Sequence, residues 1–262
     1  MKLIADLKKY REILIDLAKR DVKNKYLGSY LGFFWAFLQP LFSLVILWGV
    51  FSFGLKIKTD SKVSFFLWLM TGLIPWNFLS EGIVSSANSI LENSFLVKKI
   101  VFRISLLPIV KVLSSSLVHC FFIFILFLSF LASGYELDIY CLQVFYYFFC
   151  GTTFIFVLSW ISSSVIIFFK DIGQIISLSL QFLYWLTPIL WSYTVLPEKF
   201  KIFLILNPFF YIVEGYRDAL IHKVWFWERG YESLAFFVLN LIIGLFGFFI
   251  FRKLKPHFAD VI

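Results

Sequence analysis

Charge is scarce in this sequence. Asp, Glu, Lys and Arg together supply 15% of 262 residues, where an ordinary globular chain carries about 25%. Apolar residues make up 61%, and the mean hydropathy is +0.88. A water-soluble fold has too few charges here to cover that much apolar surface, so the solvent is lipid, and a disordered chain is excluded. Cysteine is scarce too. Cys120, Cys141 and Cys150 all lie in apolar runs and show no metal-binding spacing. Such thiols exclude a disulfide scaffold and read as groups buried in lipid or protein without a redox role. Phe, by contrast, reaches 36 residues. A compositional bias toward Phe accounts for that number more simply than as many functional rings.

Catalytic and nucleotide-binding motifs are missing as well. Gly28 and Gly32 are not followed by Gly-Lys-Ser/Thr, so no phosphate loop is present. Neither HExxH nor GxSxG occurs, which removes two hydrolase signatures. His119 lies inside a long apolar run with Ser115 one turn before it. In a helix dotted with serines that spacing reads as helix–helix hydrogen bonding ahead of a catalytic dyad. Ionisable residues within apolar runs are functional candidates by default. Here they are scattered: Glu81 after the Pro75-Trp76-Asn77 break, Lys111 placed to snorkel to the inner interface, and Lys170-Asp171 closing a run. No chain of carboxylates crosses the midplane and no inverted repeat is visible, which argues against a proton-coupled carrier. The chain is expected to bind no metal and no cofactor, so energy for transport must come from outside it.

What the sequence does have is long uncharged runs. About 20 apolar residues cross a hydrocarbon core, and a charge at its centre costs about 2.5–3.5 kcal/mol. On that basis spans are expected at about 32–55, 63–86, 105–132, 140–169, 172–194 and 232–252. The expected fold is an all-α integral membrane protein with six transmembrane helices and both termini on one side. Residues 192–231 read as an external segment. Within it, the run Ile202–Val213 is too short to cross and is broken by Asn207-Pro208, which fits a re-entrant path. With the termini inside, the inner segments hold sixteen Lys or Arg against eight Asp or Glu, and the outer segments eight of each. The whole net charge of +8 is therefore cytoplasmic, as the positive-inside rule requires. This charge suits anionic headgroups, and nucleic acid is rejected as a partner. Residues 1–30 are too charged for a signal peptide. Leu3, Leu7, Tyr10, Leu14, Leu17 and Ala18 recur at helical spacing, so this segment reads as an amphipathic helix in the cytoplasmic interface. Residues 253–262 form a cytoplasmic tail.

The stretch from Arg20-Asp21 through Tyr26-Leu27-Gly28-Ser29-Tyr30-Leu31-Gly32 to Gln39-Pro40 resembles the approach to span one in polysaccharide-exporting ABC-2 permeases. Further matches follow in the same order: Gly72-Leu73-Ile74-Pro75-Trp76-Asn77-Phe78, Leu96-Val97-Lys98-Lys99, Lys170-Asp171-Ile172, Thr187-Pro188-Ile189, and Asn207-Pro208 with Glu214 and Arg217. Each is weak alone, but six in order are specific, and the span-one pattern is more similar to O-antigen exporters than to capsule exporters. The resemblance implies a homodimer in the bacterial inner membrane, with two copies of a separate cytoplasmic ATPase that carries the ATP and Mg. It also implies export of a polyprenyl-pyrophosphate-linked glycan, with a capsule or teichoic-acid-type polymer, or a small lipid or drug, as alternatives.

The candidate sites follow from that resemblance together with the residues. The loop from Leu91 to Arg103 is expected to dock on the ATPase, with Glu92 and Asn93 as polar contacts, Phe95 as apolar anchor, and Lys98 and Lys99 for charge pairing. Arg20, Lys23 and Lys25 lie level with headgroups and suit a pyrophosphate, which Arg engages bidentately. Tyr30, Phe34, Trp35, Phe37 and Trp76 are channel candidates, because aromatic faces stack on sugars while tolerating sliding. Asn207, Pro208, Glu214 and Arg217 belong to the external segment, the last two spaced to pair on one helix face.

Overall fold

A computed structural model describes residues 10–25, 30, 32–54, 56, 63–94 and 104–261. Every regular element among them is helical. In chain order the helices are α1 (Arg11–Asn24), α2 (Trp35–Gly49), α3 (Phe65–Glu92), α4 (Leu107–Ala132), α5 (Gln143–Val165), α6 (Ile172–Leu186), α7 (Glu198–Ile205), α8 (Pro208–Arg217), α9 (Gly230–Leu254) and the short α10 (Phe258–Val261). Among the described residues four helical stretches are long and apolar enough to cross a membrane: Trp35–Gly54, Ile104–Ala132, Ile139–Val165 and Gly230–His257. The 15-residue α6 is apolar but shorter.

Helix α3 is the hub. Its 28 residues extend about 42 Å at 1.5 Å per residue, and it packs on α2, α4, α5, α6 and α8. Small residues permit this crowding, because they let helix backbones approach closely. A side chain at Gly82 would fall 2.6 Å from Ile155 Cδ1, and one at Gly151 of α5 would fall 3.1 Å from the Phe78 ring. The core of α3, α4 and α5 is thus closed by shape as much as by hydrophobicity. Farther out, α2 and α9 bury few residues. Phe42, Ile46, Leu241, Leu245 and Phe249 on these helices, with Phe182 and Trp185 on α6, stay exposed. Apolar patches of that extent require lipid or another chain to cover them.

Helix α1 buries one of its faces, while Leu3 and Leu7 of the expected stripe lie outside the described residues. Leu14, Ala18 and Val22 recur every four residues and are buried, the first two packing on Leu106, Ile109 and Val110 around the start of α4. At the opposite end of the bundle, α7 and α8 meet at Asn207. Its side-chain oxygen accepts from the Phe209 amide at 3.0 Å, capping α8, while its amide donates to Thr187 Oγ1 at 3.0 Å. Pro208 fills the first helical position, where its missing N–H costs nothing. Phe209 through Arg217 are all buried against α3 and α5. Gly215 is obligatory there, since the Tyr147 ring occupies the place of a Cβ.

Candidate functional site

Two charged clasps close one end of the molecule. Lys111, near the start of α4, donates to Asp21 Oδ1 of α1 at 2.6 Å and to Glu92 Oε2 of α3 at 2.6 Å. Lys25, just past the end of α1, pairs with Glu81 of α3. The sequence suggests that Lys111 snorkels toward water. Instead two carboxylates meet its ammonium in place, with only 11% of the side chain exposed. One lysine therefore ties together the amphipathic helix, the end of α3 and the start of α4.

The clasps stand over a cavity of about 640 Å³ bounded by α1, α2, α3 and α4. Polar residues line it along two helix faces. Asn77, Glu81 and Ser85 follow one another at four-residue intervals on α3, and Lys111, Ser115 and His119 do the same on α4. From α2 come Gln39 and Ser43. At the inner end His119 stacks on Phe78, with centroids 4.2 Å apart, and its Nε2 lies 2.7 Å from the Tyr216 hydroxyl of α8. Ser115 instead donates to the Val112 carbonyl, so Ser115 and His119 form no dyad.

A second polar cluster lies on α8 and the turn after it. Arg217 is almost wholly buried. Its guanidinium donates to Glu214 at 3.0 Å, to the Pro188 carbonyl at 2.5 Å and to the Ile189 carbonyl at 2.8 Å, and it lies 3.9 Å over the Trp68 ring. Arg229 grips both oxygens of Asp218. Glu214, Asp218 and His222 come close enough together to suggest a metal trio. Two guanidinium groups already neutralise the carboxylates, so the donor set fits an ion-pair network and not a cation. In the adjoining turns Asp138 pairs with Lys223 at 2.5 Å, and that hydrogen bond holds the lysine above its usual pKa.

The residues singled out from sequence are dispersed. Phe95, Lys98 and Lys99 lie outside the described residues, while Glu92 is drawn into the Lys111 clasp and the Asn93 amide donates to the Ser89 carbonyl. Arg20 and Lys23 are exposed. Of the five aromatic candidates none lines the cavity. Tyr30, Phe34 and Trp35 are exposed, Phe37 packs on Phe121 and Phe122, and Trp76 is buried between Tyr184 and Phe209. Trp76 is thus a packing residue. The cavity's polar faces are readable as four-residue spacings at Asn77/Glu81/Ser85, but nothing local marks the long-range partners Asp21, Tyr216 and Arg229.

Other proteins share this sequence nearly from end to end. The family model described as ABC-2 type transporter matches residues 14–221. The chain belongs to the ABC-2 type transporter family. An O-antigen export system permease protein RfbA of Klebsiella pneumoniae is 27% identical over 252 residues, covering 96% of this chain and 95% of that protein. The RfbA permease of Myxococcus xanthus is 24% identical over 269 residues, covering both chains fully. The polysialic acid transport protein KpsM of Escherichia coli is 25% identical over 240 residues, with 86% of this chain and 88% of that one covered. The matched segment of this ABC-2 transporter chain takes in both the cavity and the buried Glu214–Arg217 pair, and the charged clasps with them.

Proposed function

We propose that this chain is the permease subunit of an ATP-driven exporter that carries a polysaccharide on a lipid pyrophosphate across the bacterial inner membrane. The observation that carries the reading is the near full-length similarity to permeases named for O-antigen export and for polysialic acid transport. Fuller coverage, 96% and 100% of this chain against 86%, favours an O-antigen-like glycan over a capsule polymer, which is the second reading. In this proposal α2, α3, α4, α5, α6 and α9 cross the bilayer, both termini are cytoplasmic, and α7 and α8 form a re-entrant external segment. α1 lies in the cytoplasmic interface.

Two copies assemble, and lipid and the second copy share the apolar faces of α2, α6 and α9. Two cytoplasmic ATPase subunits supply ATP and Mg and dock on the loop after Glu92, with Phe95, Lys98 and Lys99 as contacts. Glu92 bonds to Lys111, so movement of that loop would reach α1 through one ammonium. Arg20 and Lys23, which make no ion pair among the described residues, are better placed for a pyrophosphate than Lys25, which Glu81 already engages. The aromatic residues Tyr30, Phe34 and Trp35 remain free to meet glycan at a dimer axis.

The test is deletion of the gene in a producing cell. Surface polysaccharide should disappear and lipid-linked glycan accumulate inside, with restoration by this chain alone. Unchanged surface polysaccharide overturns the reading.

A further inference from the structure

We infer that the cavity enclosed by α1, α2, α3 and α4 within one protomer is a saccharide-binding subsite, taking an uncharged, hydroxyl-rich stretch of glycan. The inference rests on the export reading above and adds where sugar is held within a single copy. Charge decides against an anion. Every charged side chain lining the cavity is already matched, with Lys111 on Asp21 and Glu92 and Lys25 on Glu81, and these five groups together leave one negative charge. A pyrophosphate brought there would meet excess carboxylate.

What the cavity does offer is neutral hydrogen-bonding capacity. The side chains of Asn77, Ser85 and Ser114 line it and make no hydrogen bond among the described residues. Ser115 donates to a backbone carbonyl and retains its oxygen lone pairs as acceptors. An acyl chain would leave all of these unpaired in an environment that penalises it. A sugar pairs its hydroxyls with them and turns its C–H faces to Phe122 and Phe78, the amphipathic match that aromatic rings provide. The volume, about 640 Å³, falls among small-molecule sites and admits a short saccharide stretch. The bonded pair His119 and Tyr216 closes the inner end, so an occupant there touches the group that holds α8.

The experiment uses the full exporter in a deletion strain, with the cell's own glycan as probe. A benzophenone amino acid at Ser85 is irradiated, and the purified permease is analysed for glycan and phospholipid adducts. The same probe at exposed Phe249 serves as control. Glycan adducts at position 85 and only phospholipid at position 249 are expected. In parallel, Ser114→Trp fills the cavity and Ser114→Thr keeps the hydroxyl. Export per permease should fall by about tenfold for the first, the equivalent of one lost contact, and stay near wild type for the second. Phospholipid alone at position 85, or full export by Ser114→Trp, overturns the subsite. If Ser114→Trp does not accumulate, the Ser85 adduct decides. If the unaltered chain fails to restore surface polysaccharide, the export reading falls. If it restores export while position 85 captures only lipid, the subsite alone falls.

Discussion

Arg217→Ala should be among the most destabilising single changes in this chain. The guanidinium it removes contributes bonds to Glu214 and to the carbonyls of Pro188 and Ile189, and covers the Trp68 ring. Glu214 is 2% exposed, so it cannot recover by hydration. His222 approaches its other oxygen only at 3.5 Å. Orphaning a buried carboxylate in this way costs about 3–5 kcal/mol. Each abandoned carbonyl adds about 1 kcal/mol. With roughly 2–4 °C lost per kcal/mol in a chain of this size, the melting midpoint should drop by about 10 °C or more. The assay is thermal unfolding of the detergent-purified protein, followed by a thiol-reactive dye reporting buried Cys150. Glu214→Gln/Arg217→Met removes the orphan charge together with its partner and should regain at least half of the loss. A single variant as stable as wild type, or a double variant no better than the single, would refute the reasoning.

Other outcomes follow from the same contacts. Lys111→Met should leave Asp21 and Glu92 without a cation. Because both acids are partly exposed, the cost is about 1 kcal/mol, and a cysteine at Val22 should become more reactive as α1 loosens. Gly215→Ala should cost about 1–3 kcal/mol or prevent accumulation, because its methyl meets the Tyr147 ring; unchanged stability would contradict the close approach. Asn207→Ala should cost about 1 kcal/mol through the lost α8 cap, with Asn207→Asp retaining most of it, as thermal midpoints would show. For topology, cysteine labels at Lys199 should react from the periplasm and labels at Asn93 and Lys255 only from inside. Reaction of Asn93 from outside would overturn the six-span arrangement.

Most of the helices are legible in the amino-acid order. The apolar runs mark them, although α3 continues past the expected end of its run to Glu92, because its polar C-terminal turns are covered by neighbours. The spacing of Leu14 and Ala18 marks the buried face of α1, and Asn207-Pro208 marks the start of α8. Site residues are less legible. Aromatic character alone suggests Trp76 as a channel ring, yet the packing of α6 and α8 against α3 buries it between Tyr184 and Phe209.

Composition and short-range spacing are enough to specify the solvent, the helical class, the break before α8 and the Glu214–Arg217 pair, because each depends on bulk polarity or on residues within one helical turn. Which distant groups meet is settled only when whole helices pack. Asp21 reaches Lys111 from 90 residues away, Lys25 reaches Glu81 from 56, and His119 reaches Tyr216 from 97. Those pairings depend on how far each helix is rotated about its own axis. That rotation is set where Gly82 and Gly151 let neighbouring side chains approach, and a periodic pattern on one helix carries no record of the face its neighbour presents.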